Sequence, residues 1–256
     1  MSAVSAVGEQ ADDALDRAID ARPWRRQHFR GSAAEFHALA LPEPPVRTLW
    51  LFEVLHPAIV LGSAQRGRDG VEPVDAALAA SAGLEVVVRR SGGAAVLLEP
   101  GRIVWADVVI PRDDPLWVDD VGRATWWVGR WWQRALAALG LPGPGAPAAV
   151  VHRGPMQHRE HSDRICFAGV GPGEVLVGGR KLVGVSQRRR RGVARFQTAA
   201  LLRWEPDPLA ALCGVAADDG AAPAGLRAAA VGLTELPGGG ALGVADVQAA
   251  LSAVLR

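Results

Sequence analysis

One long amphipathic segment, Asp119–Leu139, limits what the rest of this chain can build. Trp127, Val128, Trp131, Trp132, Ala135 and Leu139 recur at the helical period, while Arg123, Arg130 and Arg134 mark another face. An Asp pair opens the segment and Gly140 closes it, as helix ends require. Apolar helix faces of this kind are core packing with a solvated arginine face, not a platform for stacking bases. Short apolar runs bounded by turn residues lie on both sides of it. Before it they are Thr48–Leu55, Ala58–Leu61, Leu84–Arg89, Ala94–Leu98 and Arg102–Ile110; after it, Ala148–His152, Arg164–Ala168, Glu174–Val177, Lys181–Gln187 and Arg195–Leu202. Their length and punctuation predict strands. Further helices are predicted at Glu9–Ala21, Val74–Ala82, Pro208–Cys213 and Val244–Leu255, so the chain reads as α+β.

Charge and cysteine content narrow the function classes. With 256 residues the chain is long enough for one sizeable core. A formal net charge of +1 gives no global argument for nucleic acid or an anionic membrane. The first twenty residues carry acids where a signal peptide needs a basic and then an apolar stretch, and no apolar run approaches bilayer length. A cytoplasmic protein with no membrane and no nucleic-acid partner is the expectation. Two cysteines, Cys166 and Cys213, make no disulfide framework. His152, His158, His161 and Cys166 have spacings that zinc could use, but no second cysteine pair or catalytic Glu motif accompanies them, so no metal site is expected. Gly238-Gly239-Gly240-Ala241-Leu242-Gly243 spells a dinucleotide fingerprint with no strand before it, which argues against that use.

Lys181 is the only lysine; the other 27 of the 28 basic residues are arginine. A compact ammonium can enter a narrow site and point three donors where the wide guanidinium fork cannot. It follows a glycine turn, Gly178-Gly179, and begins a short strand. Far upstream, Arg89-Arg90-Ser91-Gly92-Gly93-Ala94-Ala95 joins two apolar runs through small residues. Glycine lets backbone approach a ligand closely, and the arginine pair offers fixed positive charge for phosphate or carboxylate.

Together these segments resemble the Arg-Arg-x-Ser-Gly-Gly-Gly-Ala-Val loop and the Arg-Lys-Val-x-Gly-Ser strand of the biotin/lipoate protein ligase and octanoyltransferase superfamily. Pro57-Ala58-Ile59-Val60-Leu61-Gly62-Ser63-Ala64-Gln65 is similar to that family's Gly-x-x-Gln strand end. The resemblance covers about residues 45 to 205. It implies mixed or antiparallel sheets flanked by helices, the class II biotin/lipoate ligase-like catalytic domain. The chain is expected to be one such domain over residues 1–256, with no identifiable accessory C-terminal domain.

The resemblance further implies acylation of a lysine on a lipoyl-carrier domain, with lipoate or octanoate as the acyl group. In a ligase route ATP with Mg2+ activates the free acid. Gln65, Arg89, Arg90, Ser91, Gly92, Gly93, Ala94, Ala95, Gly184 and Ser186 would then bind the substrate and its adenylate, and Lys181 would stabilise charge at the carbonyl. In a transferase route, which uses no ATP, Cys166 would take an octanoyl group from an acyl carrier protein. A third reading is a non-catalytic module that binds acyl groups or carriers. Typical ligases carry His-Asp and Gly-Asn after the loop, where this chain has Leu98-Glu99 and Gly101-Arg102. They also carry His-His-Gly-Thr after the lysine strand, where Gln197-Thr198-Ala199-Ala200 stand here. The ligase reading leads narrowly. The run Arg188, Arg189, Arg190 and Arg191 is read as a docking site for an acidic protein partner beside the active site.

Overall fold

The computed structural model describes residues 3–65 and 73–255. Its strands are β1 (Arg25–Gly31), β2 (Thr48–Val54), β3 (Ala58–Leu61), β4 (Glu85–Val88), β5 (Val96–Leu98), β6 (Ile103–Pro111), β7 (Ala149–Val151), β8 (Val175–Val177), β9 (Arg180–Arg190) and β10 (Val193–Leu201). Its helices are α1 (Ala3–Asp20), α2 (Ala33–Ala38), α3 (Ala76–Ser81), α4 (Trp126–Ala138), α5 (Asp207–Leu212), α6 (Ala224–Ala229) and α7 (Val244–Ala253). Seven strands form one sheet in the order β1-β2-β6-β10-β9-β8-β7, and three form a second in the order β4-β3-β5. Only β1–β2 and β3–β4 are parallel pairs; the others are antiparallel.

Alternation along β6 shows why the large sheet carries a core on each face. Val104, Ala106, Val108 and Ile110 pack with the helix layer, against Trp127, Trp131 and Trp132 of α4 and Val247 and Leu251 of α7. Ile103, Trp105 and Val109 face the other way, into the cluster shared with the small sheet. The arginine face of α4 is not solvated as expected. Arg130 and Arg134 meet Asp16 and Asp20 of α1 at 2.6 and 3.1 Å, so the amino-terminal helix covers it. The Asp119-Asp120 pair opens a turn rather than the helix: Asp120 Oδ1 accepts the Arg123 N–H, a short 3-10 turn spans Arg123–Thr125, and α4 begins at Trp126.

Three elements were not expected. The strand β1 reads Arg-Arg-Gln-His-Phe-Arg-Gly and shows no apolar alternation; it is an edge strand held by its backbone ladder to β2. Helices α2 and α6 are six residues each. The strand expected at Arg164–Ala168 is instead a single bridge, Ala95 to Ile165, followed by a 3-10 turn over Cys166–Ala168.

Candidate active site

The loop between β4 and β5 is not a hairpin turn. Its two strands flank β3 on opposite sides, so residues 89–95 arch over the end of the β3 strand. Close packing fixes the arch: a Cβ on Gly62 would overlap the Gly93 carbonyl, and Ser63 N donates to Ser91 O at 3.0 Å. Gly93 has φ +94°, a conformation side chains rarely adopt. Arg89 is buried beneath this arch and donates to Gly92 O (3.0 and 2.9 Å) and Ala94 O (2.9 Å). Its guanidinium therefore braces the loop from within. Burial pulls Arg89 below its ordinary value, against the opposing influence of Cys166. Gln65 is a second brace: Gly62 N donates to its side-chain oxygen, and its amide donates to the carbonyls of Asp163 and Arg164.

Cys166 is half-buried where this loop meets the 3-10 turn. Its N–H donates to Ala95 O at 2.9 Å, and Sγ lies 3.5 Å from where a Gly93 Cβ would stand. Two cavities meet there. One is an apolar slot of about 480 Å³ between the two sheets, walled by Val60, Val96, Leu98, Trp105 and Phe167, with His37 among its lining. The other is a broader mouth of about 920 Å³ lined by Gly92, Gly93, Ala94, Met156 and Gln187. Cys166, Val185 and Ser186 line both.

Lys181 enters from β9, where a bulge against β8 alters the strict alternation. The side chain comes to lie beside Gly184: a Cβ there would meet Lys181 Cε at 3.4 Å and the Phe167 ring at 3.7 Å. Lys181 is 1% exposed. Its ammonium lies 2.7 Å from Glu174 Oε1 and donates to Cys166 O at 2.7 Å and Gly169 O at 3.2 Å. Thus the lone lysine meets the carbonyls at both ends of the Cys166 turn and one carboxylate. Glu174 in turn accepts the N–H groups of Gly171 and Val185.

Polar residues line the slot where it reaches β10. Ser91 Oγ donates to Gln197 Oε1 at 2.6 Å, and Ser186 Oγ donates to Ser91 Oγ at 3.2 Å. Gln197 Nε2 also reaches His37 Nδ1 at 3.2 Å, and Asp107 is fixed behind it by Arg195 at 2.6 Å. Burial, then Arg195 and Arg89, hold the His37 imidazole down at about 3, so that ring is neutral near pH 7. No local pattern marked His37, Trp105, Glu174 or Asp107 for this site. The one available signal was the Ser32-x-x-Glu35 capping box, which starts the helix that carries His37.

Alternation along β9 puts Arg188 and Arg190 on one face and Arg189 on the other, and Arg191 follows in the turn. Arg188, Arg190 and Arg191 line a groove with Arg90. Arg189 turns away from it, donates to Val118 O and Asp119 O, and lies over the Trp117 ring; it braces that loop and does not line the groove. Among the described residues, no group of three or more His, Cys, Asp or Glu side chains could hold a metal ion, and His152 instead bonds Pro155 O.

An apolar slot opening at a glycine loop, on a seven-stranded mixed sheet, defines a lipoate ligase-type catalytic domain. The family model for the lipoyl protein ligase A/B catalytic domain matches residues 35–256, and the chain belongs to that family of lipoate ligases and octanoyltransferases. It is 32% identical over 169 residues to octanoyltransferase LipM of Moorella thermoacetica, a match covering 66% of this chain and 58% of that protein. In fold it is similar to protein Ta0514 of T. acidophilum with bound lipoic acid, at TM-score 0.63 and 17% identity, covering 91% of this chain and 83% of that one. It is also similar to a bi-partite lipoate protein ligase of Thermoplasma acidophilum described with its E2 lipoyl domain, at TM-score 0.59 and 16% identity, covering 95% and 77%. No described helix is long and apolar enough to cross a membrane.

Proposed function

We propose that this enzyme transfers an octanoyl group from a carrier thioester to a lysine of a lipoyl-carrier domain through an acyl-thioester on Cys166, without ATP. The observation that carries this reading is the position of Cys166 at the boundary shared by slot and mouth. An acyl chain in the slot presents its carbonyl at that sulfur, while the mouth admits first the donor thioester and then the acceptor amine.

The Cys166 sulfur attacks the donor carbonyl, the carrier thiol leaves, and the proton from Cys166 ends on that thiol. The acceptor lysine, as free amine, then attacks the Cys166 thioester; an amide forms, the carbon–sulfur bond breaks, and the amine proton returns to sulfur. Arg89, whose guanidinium and the Cys166 sulfur both lie beside Gly93, supplies fixed positive charge near the sulfur as it gains and loses negative charge. The N–H groups of Gly93 and Ala94 take part in none of the loop's backbone hydrogen bonds, which leaves them as donors for the carbonyl oxygen. Lys181 is a positioning residue here, holding the Cys166 turn through its carbonyls.

The resemblance of the chain to an octanoyltransferase supports the same route over the ATP-dependent ligase. The lipoyl domain as acceptor is supported by the lipoyl domain described with one structural relative. The test is transfer to a lipoyl domain from octanoyl-acyl carrier protein, compared with transfer from free octanoate or lipoate plus ATP and Mg2+. Product from the thioester alone supports the reading; product only from free acid and ATP overturns it in favour of the ligase.

A further inference from the structure

Beside the mouth lies a groove of about 1820 Å³ that the chemistry above does not use. Its lining includes Arg90, Arg188, Arg190 and Arg191 together with Leu39 and Leu41 of the segment after α2. Among the described residues, none of these four arginines has a carboxylate within ion-pair distance, whereas Arg130, Arg134 and Arg195 each meet one. They also repel one another: besides burial, Arg190, Arg90 and Arg195 pull Arg188 below its ordinary value. Two acids share the lining: Asp113 pairs with Arg22 at 3.3 Å, and Glu43 stands outside ion-pair distance of the four arginines, which leaves the cluster with a net positive charge. Clustered cations without counter-charges are unfavourable in the free protein and are relieved by an anionic ligand.

We propose that this groove docks an acidic protein surface in which aliphatic residues are interleaved with the carboxylates, belonging to the carrier protein that presents the acyl thioester. Four cations and two leucines lining one groove suit an extended amphipathic surface better than one phosphate group. The groove adjoins the mouth at the Gln187-Arg188 peptide bond, and Arg90 of the groove lies two residues from Gly92 of the mouth, so a protein seated there holds a flexible acyl-bearing arm next to Cys166. The proposal rests on the acyl-transfer reading for what the partner carries, but not for where it docks.

The test is binding of octanoyl-acyl carrier protein, measured by titration calorimetry at low and raised salt. Wild type is compared with Arg188→Glu/Arg190→Glu and with Arg203→Glu/Arg227→Glu, an equal charge change outside the groove. The groove pair is expected to weaken binding about tenfold or more and to abolish its salt dependence, while the outside pair binds as wild type. Matching thermal melts and circular dichroism confirm that each variant is folded. Absence of carrier binding by wild type overturns the proposal, as does equal weakening by both pairs. Loss of ATP–Mg2+ binding in the groove pair, with carrier binding intact, overturns it in favour of a nucleotide site. Acylation of Cys166 by the small donor S-octanoyl-N-acetylcysteamine is followed in parallel. Its absence overturns the transfer reading and leaves the docking result standing by itself.

Discussion

The Lys181 ammonium and the Glu174 carboxylate stand 2.7 Å apart with side chains only 2% and 4% exposed. A pair so buried is costly to desolvate, and removing one partner strands the other charge. Lys181→Ala is therefore expected to lower stability by about 3–5 kcal/mol in urea unfolding. Adding Glu174→Gln should recover part of that loss, because a neutral amide is cheaper to bury. Lys181→Arg should fail as well, since a planar fork cannot converge on Cys166 O, Gly169 O and Glu174 as one ammonium does. Full stability in Lys181→Ala would show that the pair does not hold the Cys166 turn.

Gly93 is constrained twice, by its φ of +94° and by the Arg89 guanidinium that a Cβ would meet. Gly93→Ala is expected to cost about 1–2 kcal/mol from backbone strain alone and to slow acylation of Cys166 by displacing Arg89. Thermal melts and a thioester-release assay measure the two effects; slowed acylation without destabilisation would mean that the loop tolerates the conformation.

The two cysteines should differ sharply toward thiol reagents. Burial pushes the Cys213 thiol up to about 11, against the pull of Arg164, and encloses it in the core. At pH 8 a thiol reagent should label the folded protein once, on Cys166, and the unfolded protein twice. Rapid labelling of Cys213 in the folded state would contradict the packing described around it.

His37 sets an acid limit on stability. Its unfolded imidazole binds a proton near 6.5 and its folded one near 3, so between those values the unfolded chain holds more protons. The stability contributed by neutral His37 is complete above pH 6.5 and is lost as pH falls toward 3. One such group gives a slope of at most about 1.4 kcal/mol per pH unit. In His37→Gln that slope should be missing from a series of unfolding curves between pH 6 and 4; an unchanged slope would mean that His37 protonates freely in the fold.

Much of the scaffold was legible because its signals are local. The α4 face, the β9 strand after its glycine turn, and the small-residue loop at 91–94 are each written in a few adjacent residues. The Cys166 turn was not legible, for Ile165-Cys166-Phe167-Ala168 is an apolar run like any strand. What bends it is tertiary, namely Lys181 drawing in two of its carbonyls and Ala95 pairing only once. The edge strand β1 hid for a related reason, since its fixed element is the β2 backbone and not its own side chains. The partner of the lone lysine could not be read either, as Glu174 meets it through a bulge that alters which side chains share a face.

The account turns on covalent attachment at Cys166, and intact mass spectrometry tests it most directly. Protein mixed with octanoyl-acyl carrier protein, without ATP or acceptor, should gain the mass of one octanoyl group. Hydroxylamine should remove the adduct, peptide mapping should place it on Cys166, and Cys166→Ser should neither form it nor support transfer to a lipoyl domain. An unmodified enzyme under these conditions, together with full transfer activity in Cys166→Ser, would contradict the account.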